Sequence, residues 1–185
     1  RDLVRSRGLG DVYKRQLQLI SDVLDLAKIE SGIIELKLVE VDLRELCKEL
    51  VVSMRIKVPA EVALCVVPDL PSYIMRCDKV RLTQIISNFI NNAIKHTSKG
   101  TILLGYEIRW DEIEFSVTDT GDGMSPEVQR HVFDRFYKGN SFKQGTGLGL
   151  SICKSIIEQV GGKIGVESEI CLLYTSPSPR DRTRS

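Results

Sequence analysis

The pattern of this chain predicts a two-layer α/β sandwich, a mixed sheet with helices on one face. Three features predict it: alternating strand-like runs near 101 to 108 and 113 to 119, amphipathic helical periods near 43 to 54 and 78 to 95, and helix and strand signals interleaved along one chain. In order, Leu17, Ile20, Leu24 and Ala27 recur at three- and four-residue steps, with Leu19, Val23 and Leu26 on an adjoining face. Such a helix is apolar on two sides and calls for a bundle. Gly32 ends it. Leu36, Leu38 and Val41 alternate with charged residues as a strand, and Asp42 with Glu45 reads as a cap before the amphipathic set Leu43, Leu46, Cys47, Leu50, Val51 and Met54. A strand over 62 to 67 is closed by Pro68, and a long helix follows from about Asp78 to Lys95. Its buried side is Ile85, Ile86, Phe89, Ile90, Ala93 and Ile94. After the two alternating strands, Ser125-Pro126-Glu127 marks a helix start, since proline is tolerated at the first helical position. A last helix from about Gly149 stops at Gly161-Gly162, before a strand over 163 to 167.

The two ends stand apart from this pattern. Ser6 to Gln16 and Cys171 to Asp181 back-translate to strings that, apart from bases at the edges, are reverse complements of each other. They resemble a transposase-type sequencing adapter read on both strands. Residues 1 to 16 and 171 to 185 are therefore read as adapter-derived and left out of the fold, as a fusion scar would be. The whole chain has 26 basic and 25 acidic residues, and setting aside the eight basic and three acidic residues of the ends leaves 18 and 22. A slightly acidic interior carries no nucleic-acid footprint, and the arginine-rich ends are not one. Cys47, Cys65, Cys77 and Cys153 have no short paired spacing, so neither a zinc site nor a disulfide framework is implied. No apolar run approaches the roughly eighteen residues of a membrane span. A cytoplasmic location is expected, which leaves room for a parent anchored by an upstream segment.

Three segments carry chemistry: Asn88 to Lys95, Asp119-Thr120-Gly121-Asp122-Gly123, and Gly145-Thr146-Gly147-Leu148-Gly149-Leu150. A glycine at every second position lets backbone approach phosphate oxygens with its N–H groups free, and the helix that follows favours anions at its N-terminus. A carboxylate between a strand and a glycine turn can accept a hydrogen bond from an exocyclic amine. Two amide side chains four residues apart share a helix face. Together they describe a pocket for ATP with Mg2+.

In these segments the chain resembles the catalytic ATP-binding domain of sensor histidine kinases, within the superfamily that includes type II topoisomerases, mismatch-repair ATPases and a major chaperone class. The N box is Asn88 to Thr97, the G1 box Asp119 to Gly123, the F box Phe133-Asp134-Arg135-Phe136 and the G2 box Gly145 to Leu150, in the family's order and spacing. Residues 17 to 32 look like the end of the dimerisation helix, and 33 to 170 like the ATP-binding domain without its last strand. That missing strand implies an unpaired sheet edge.

The resemblance implies a role for each residue. Asp119 would read the adenine, with Gly121 and Gly123 shaping its turn; an aspartate before glycine also serves as an ordinary turn cap. Asn92 would hold magnesium, with Asn88 a weaker second ligand and Lys95 meeting phosphate charge. His96 stands where the family often has an aromatic ring near the sugar and base, and reads equally well as a polar residue without a role. Gly145, Thr146, Gly147, Leu148 and Gly149 would close over the phosphates. The segment from about Met124 to Gln144, with Gly139 and Asn140, would be the lid. Phe133 and Phe136 read as core aromatics that the resemblance makes lid anchors. Lys138 or Arg135 would reach a phosphate oxygen or be simply solvated.

The reaction so implied is transfer of the ATP γ-phosphoryl group to a histidine, for relay to the receiver domain of a response regulator. The acceptor is expected on a dimerisation helix of a homodimeric parent, because neither His96 nor His131 lies in an acceptor-like motif. This piece is expected to bind Mg-ATP without phosphorylating itself. Two other readings stay open: a clamp-type ATPase of the same superfamily, which needs a longer lid and a transducer domain, and a nucleotide-sensing module without chemistry.

Overall fold

The computed structural model describes residues 2–31, 35–110, 112–138 and 146–168; within the first helix it describes the side chains of Tyr13 and 16–29. Helix α1 spans Asp2–Glu30, strand β1 Val39–Asp42, α2 Leu43–Met54, β2 Val62–Val66, β3 Ile74–Cys77 and α3 Lys79–His96. Strands β4 (Gly100–Arg109) and β5 (Glu112–Asp119) form a hairpin, followed by the short α4 (Pro126–His131) and by α5 (Gly149–Gln159). The helical register of α1 thus continues upstream of Leu17 into the segment read as adapter.

The fold is α/β with mixed pairing, as the pattern predicts. β2 runs parallel to β4, Val62 opposite Gly100, and β4 runs antiparallel to β5, Ile102 opposite Asp119. Alternation gives the sheet its two faces. Ile102, Leu104 and Tyr106 are buried beneath α2 and α3 with Leu46, Leu50, Ile86 and Ile90, while Glu112, Glu114, Ser116 and Thr118 face outward. Ile90 and Ile102 are fully buried, and each such side chain contributes about 1.5–3 kcal/mol by leaving water. A second cluster lies on the far side of α3, where Leu26 and Ile29 of α1 pack on Leu148, Ile152 and Ile156, with Ile85 against them. The α1 stub is therefore docked on α3 and α5. Elsewhere it leaves Leu17, Ile20, Val23 and Leu24 exposed, the second apolar side expected of a bundle helix.

The structure corrects three expectations and adds one strand. The strand expected over Leu36 to Val41 is shorter, because its ladder with β3 starts at Val39 opposite Cys77, and Lys37 N–H donates instead to Asp78 Oδ2 at 3.0 Å. The partner, β3, is not foreseen: four residues after a proline-rich turn show no clean alternation. β1 and β3 also form a two-stranded sheet of their own rather than joining β2, β4 and β5. The segment 163–167 is not a strand. Its end is tied to the start of α4, Ser168 Oγ accepting Met124 N–H at 2.8 Å and Ser168 O accepting Gln129 Nε2 at 2.7 Å. Among the described residues β5 consequently pairs on one side only, with β4.

The helix caps follow the sequence closely. Asp42 accepts the N–H groups of Arg44 and Glu45, Asp78 accepts Arg81 N–H, and Ser125 accepts Val128 N–H. The hydroxyl of Ser72, donating to Asp42 at 2.7 Å, and the capping N–H groups hold the Asp42 carboxyl below its ordinary value of 3.8. A folded pKa below the unfolded one gives stability that is present above pH of about 4 and lost as the pH falls through the folded value. The thermal midpoint is therefore expected to fall on acidification below pH of about 4, and to fall less in Asp42→Asn; equal slopes in a calorimetric pH series would reject this.

Candidate nucleotide-binding site

Helix α3 is the wall on which the site is built. Ile86, Ile90 and Ala93 face the sheet and Ile85 the second cluster, while Asn88 and Asn92, four apart, are half-buried, Asn88 against α5. At the C-terminal end of α3, Thr97 is buried and its hydroxyl donates to Asp119 Oδ1 at 3.4 Å. The same carboxylate oxygen accepts Gly121 N–H at 2.8 Å, and Asp122 N–H donates to His96 O at 3.0 Å. The end of the first segment and the glycine turn of the second are thus one unit. Asp119 stands at the end of β5 with its side chain exposed, open to a base from outside.

The middle of the wall meets the start of α5. Asn88 Nδ2 donates to Gly149 O at 3.2 Å and to Cys153 Sγ at 3.4 Å. Burial pushes the Cys153 thiol up to about 11, so it stays protonated. Gly147 has φ 73, and a Cβ there would lie 2.9 Å from Phe136 Cα, so no other residue fits without displacing the F box. Gly147 O in turn accepts Phe136 N–H at 2.9 Å. Leu148 is fully buried and seats the start of α5 in the second cluster.

Lys95 keeps part of its surface in solvent, yet desolvation by the protein around it lowers its pKa, and the Asp22 carboxylate opposes that. Phe136 is 62% exposed with φ 60, which replaces the core reading with that of a strained turn residue against the glycine run. Phe133 is half-buried. His96, Arg135 and Lys138 each make an interaction within the structure. Gly145, Gly139 and Asn140 lie outside the described residues. The structure therefore brings Asn88, Asn92, His96, Asp119, Gly121, Gly147 and Gly149 around one helix. Two cavities, of about 250 and 380 Å3, lie elsewhere, on Arg44 and Leu70 and on Arg55 and Leu64.

A model of the histidine kinase-, DNA gyrase B- and HSP90-like ATPase family matches residues 77–180. The chain belongs to that family. The match runs past Ile170, into the segment read as adapter. The sensor protein GacS of Pseudomonas syringae pv. syringae is 39% identical over 179 residues, 86% of this chain and 19% of its own length. The sensor histidine kinase RcsC of Escherichia coli (strain K12) is 37% identical over 160 residues, 83% of this chain and 17% of its own length. This chain thus spans about a fifth of such relatives. Among solved structures, full-length ShkA in complex with AMPPNP has a TM-score of 0.75 at 32% identity, covering 89% of this chain and 35% of that one. Histidine kinase ThkA in complex with the response regulator protein TrrA has a TM-score of 0.63 at 26% identity, covering 83% of this chain and 43% of that one.

Two participants escape the sequence reading. Thr97 closes the N box but without a stated role, and Asp22 sits in the helical stub, 124 residues from the Thr146 hydroxyl that it accepts at 2.9 Å. No local signal marks a pairing across that distance.

Proposed function

We propose that this chain is the ATP-binding catalytic domain of a sensor histidine kinase, and that its cleft takes Mg-ATP between β5, α3 and the start of α5. The observation that carries this is the double tie of α3, to the Asp119 turn through Thr97 and His96 and to α5 through Asn88. Asp119 accepts the exocyclic amine of adenine, and Gly121 and Gly123 keep the turn close to the base. The N–H groups of 145 to 149 and the N-terminus of α5 receive the phosphates, with Lys95 and Lys138 adding positive charge. His96 lies at the sugar and base end.

Magnesium fits these residues. Asn92 offers a hard amide oxygen on the cleft flank, while Asn88, its NH2 turned to Gly149, offers the weaker second oxygen. Mg2+ characteristically keeps several waters and takes substrate phosphates as ligands, so one or two protein oxygens suffice. When bound, the ion neutralises charge on the phosphoryl group being transferred. The chain's own share is to orient the triphosphate and exclude water around it.

We assign the acceptor histidine to a dimerisation helix outside this sequence, since His131, beside Asp134 at 2.7 Å, lies in no acceptor-like motif. The working parent is a homodimer passing the phosphoryl group to a response regulator receiver domain. No described helix is long and apolar enough to cross a membrane, and we place this domain on the cytoplasmic side. Residues 1–16 and 171–185 are translated adapter in this reading, which the genomic sequence around the locus would verify or refute.

Mixing the chain with a separate acceptor-helix protein and γ-labelled ATP tests the proposal. Label on histidine is expected. Free phosphate without labelled protein would indicate a clamp-type ATPase, and neither product a nucleotide-sensing module; each would overturn the kinase reading.

A further inference from the structure

The docked α1 helix places a carboxylate at the phosphate end of the cleft. Asp22 is 8% exposed, and its two oxygens are both engaged, Oδ1 by Gln18 Nε2 at 2.7 Å and Oδ2 by the Thr146 hydroxyl at 2.9 Å. A buried carboxylate is costly unless it is hydrogen-bonded, and these two partners offset that cost. Thr146 Oγ1 then accepts Leu148 N–H at 3.3 Å. That amide belongs to the glycine run whose N–H groups a triphosphate needs. One turn away, Asp25 pairs with Arg81 at 3.5 Å and accepts Gln84 Nε2 at 3.0 Å, both on α3, while Leu26 and Ile29 seat the helix on α5.

We propose that Asp22 is a latch by which the docked α1 helix and Mg-nucleotide oppose each other. Its charge sits beside the place where phosphate charge must come, and acts on Lys95. Its hydrogen bond turns the Thr146 hydroxyl toward α1 and directs the oxygen lone pair at Leu148 N–H. A bound triphosphate competes for both. Because such coupling is reciprocal, nucleotide must loosen α1 by the same factor by which α1 weakens nucleotide. Asp22 is a positioning residue here, acting through Thr146 and Lys95 without touching the substrate.

The inference rests on the reading of the cleft as a Mg-nucleotide site. Calorimetric titration with Mg-AMPPNP, for the chain and for Asp22→Ala, Thr146→Val and the double variant, is one test. Asp22→Ala is expected to tighten binding about two- to tenfold, the net scale of one ordinary hydrogen bond, with a smaller gain in the Thr146→Val background. No gain, or the same gain in both backgrounds, would overturn the latch. Hydrogen exchange on the unmodified chain needs no variant to fold: Mg-AMPPNP should speed exchange at amides 18–29 of α1. Unchanged or slower exchange there, with nucleotide heat still measured, would sink the latch alone. Absence of any heat would take the nucleotide site and the latch down together.

Discussion

Asp119→Ala is expected to weaken a fluorescent ATP analogue by at least tenfold, with the thermal midpoint changing by only a few degrees. A hydrogen bond to a charged acceptor is worth about 1.5–3 kcal/mol, a factor of roughly 10 to 150 in affinity. Asp119 is exposed at the end of β5, so its replacement opens no cavity in the core. Its protein partners are Gly121 N–H at 2.8 Å and the Thr97 hydroxyl at 3.4 Å. Losing the first loosens the turn that approaches the base, which adds to the effect on binding. Asp119→Asn separates these contributions, since the amide oxygen can still receive Gly121 N–H while the charge is gone. Unchanged affinity in the alanine variant would show that the carboxylate reads no base, and the assignment of the cleft would fall with it.

Gly121→Ala is expected to abolish binding by a different route. A Cβ at this position would lie 2.3 Å from His96 O and 2.8 Å from Asp119 Oδ1, and the first of these is backbone at the end of α3, with no flexible side chain to yield. Overpacking of this kind costs about 1–3 kcal/mol. The natural relief is for the turn to move away from α3, breaking the Asp122 N–H to His96 O bond of 3.0 Å. The two walls of the site would then separate while the cores around Ile90 and Ile152 stay packed. Circular dichroism should therefore report a folded chain, with a midpoint several degrees lower and no heat on titration with Mg-AMPPNP. A variant that binds nucleotide normally would mean that the tie between α3 and the turn does not shape the pocket.

The sequence alone is enough for the elements whose signal is local. The caps at Asp42, Asp78 and Ser125 are legible because the capping side chain and the N–H groups it receives are two or three residues apart. The burial of Ile86, Ile90 and Ala93 follows from a period of 3.6, and the outward face of β5 from a period of 2. The glycine runs are legible for a similar reason, since a turn that hugs phosphate or another backbone must lack a side chain at set intervals.

Where a feature depends on a partner far along the chain, the local pattern is silent. The segment 163–167 carries strand-like residues, yet what it meets is the start of α4, through Ser168. β3 becomes a strand because β1 lies beside it. Asn88 reads from the sequence as one of a pair of metal-facing amides, but Gly149 O and Cys153 Sγ take its NH2 group once α5 is laid against α3. Asp22 shows the limit most clearly: it occupies one position in an amphipathic helix, and its contact with Thr146 exists because Leu26, Ile29, Leu148 and Ile152 bury one another. The family, the order of elements and the residue types at the cleft are thus written in short-range spacing. Which polar groups turn toward the nucleotide and which are claimed by a neighbouring helix is decided by packing, because a hydrogen bond needs its two atoms within about 3 Å and only the assembled layers bring such distant residues that close.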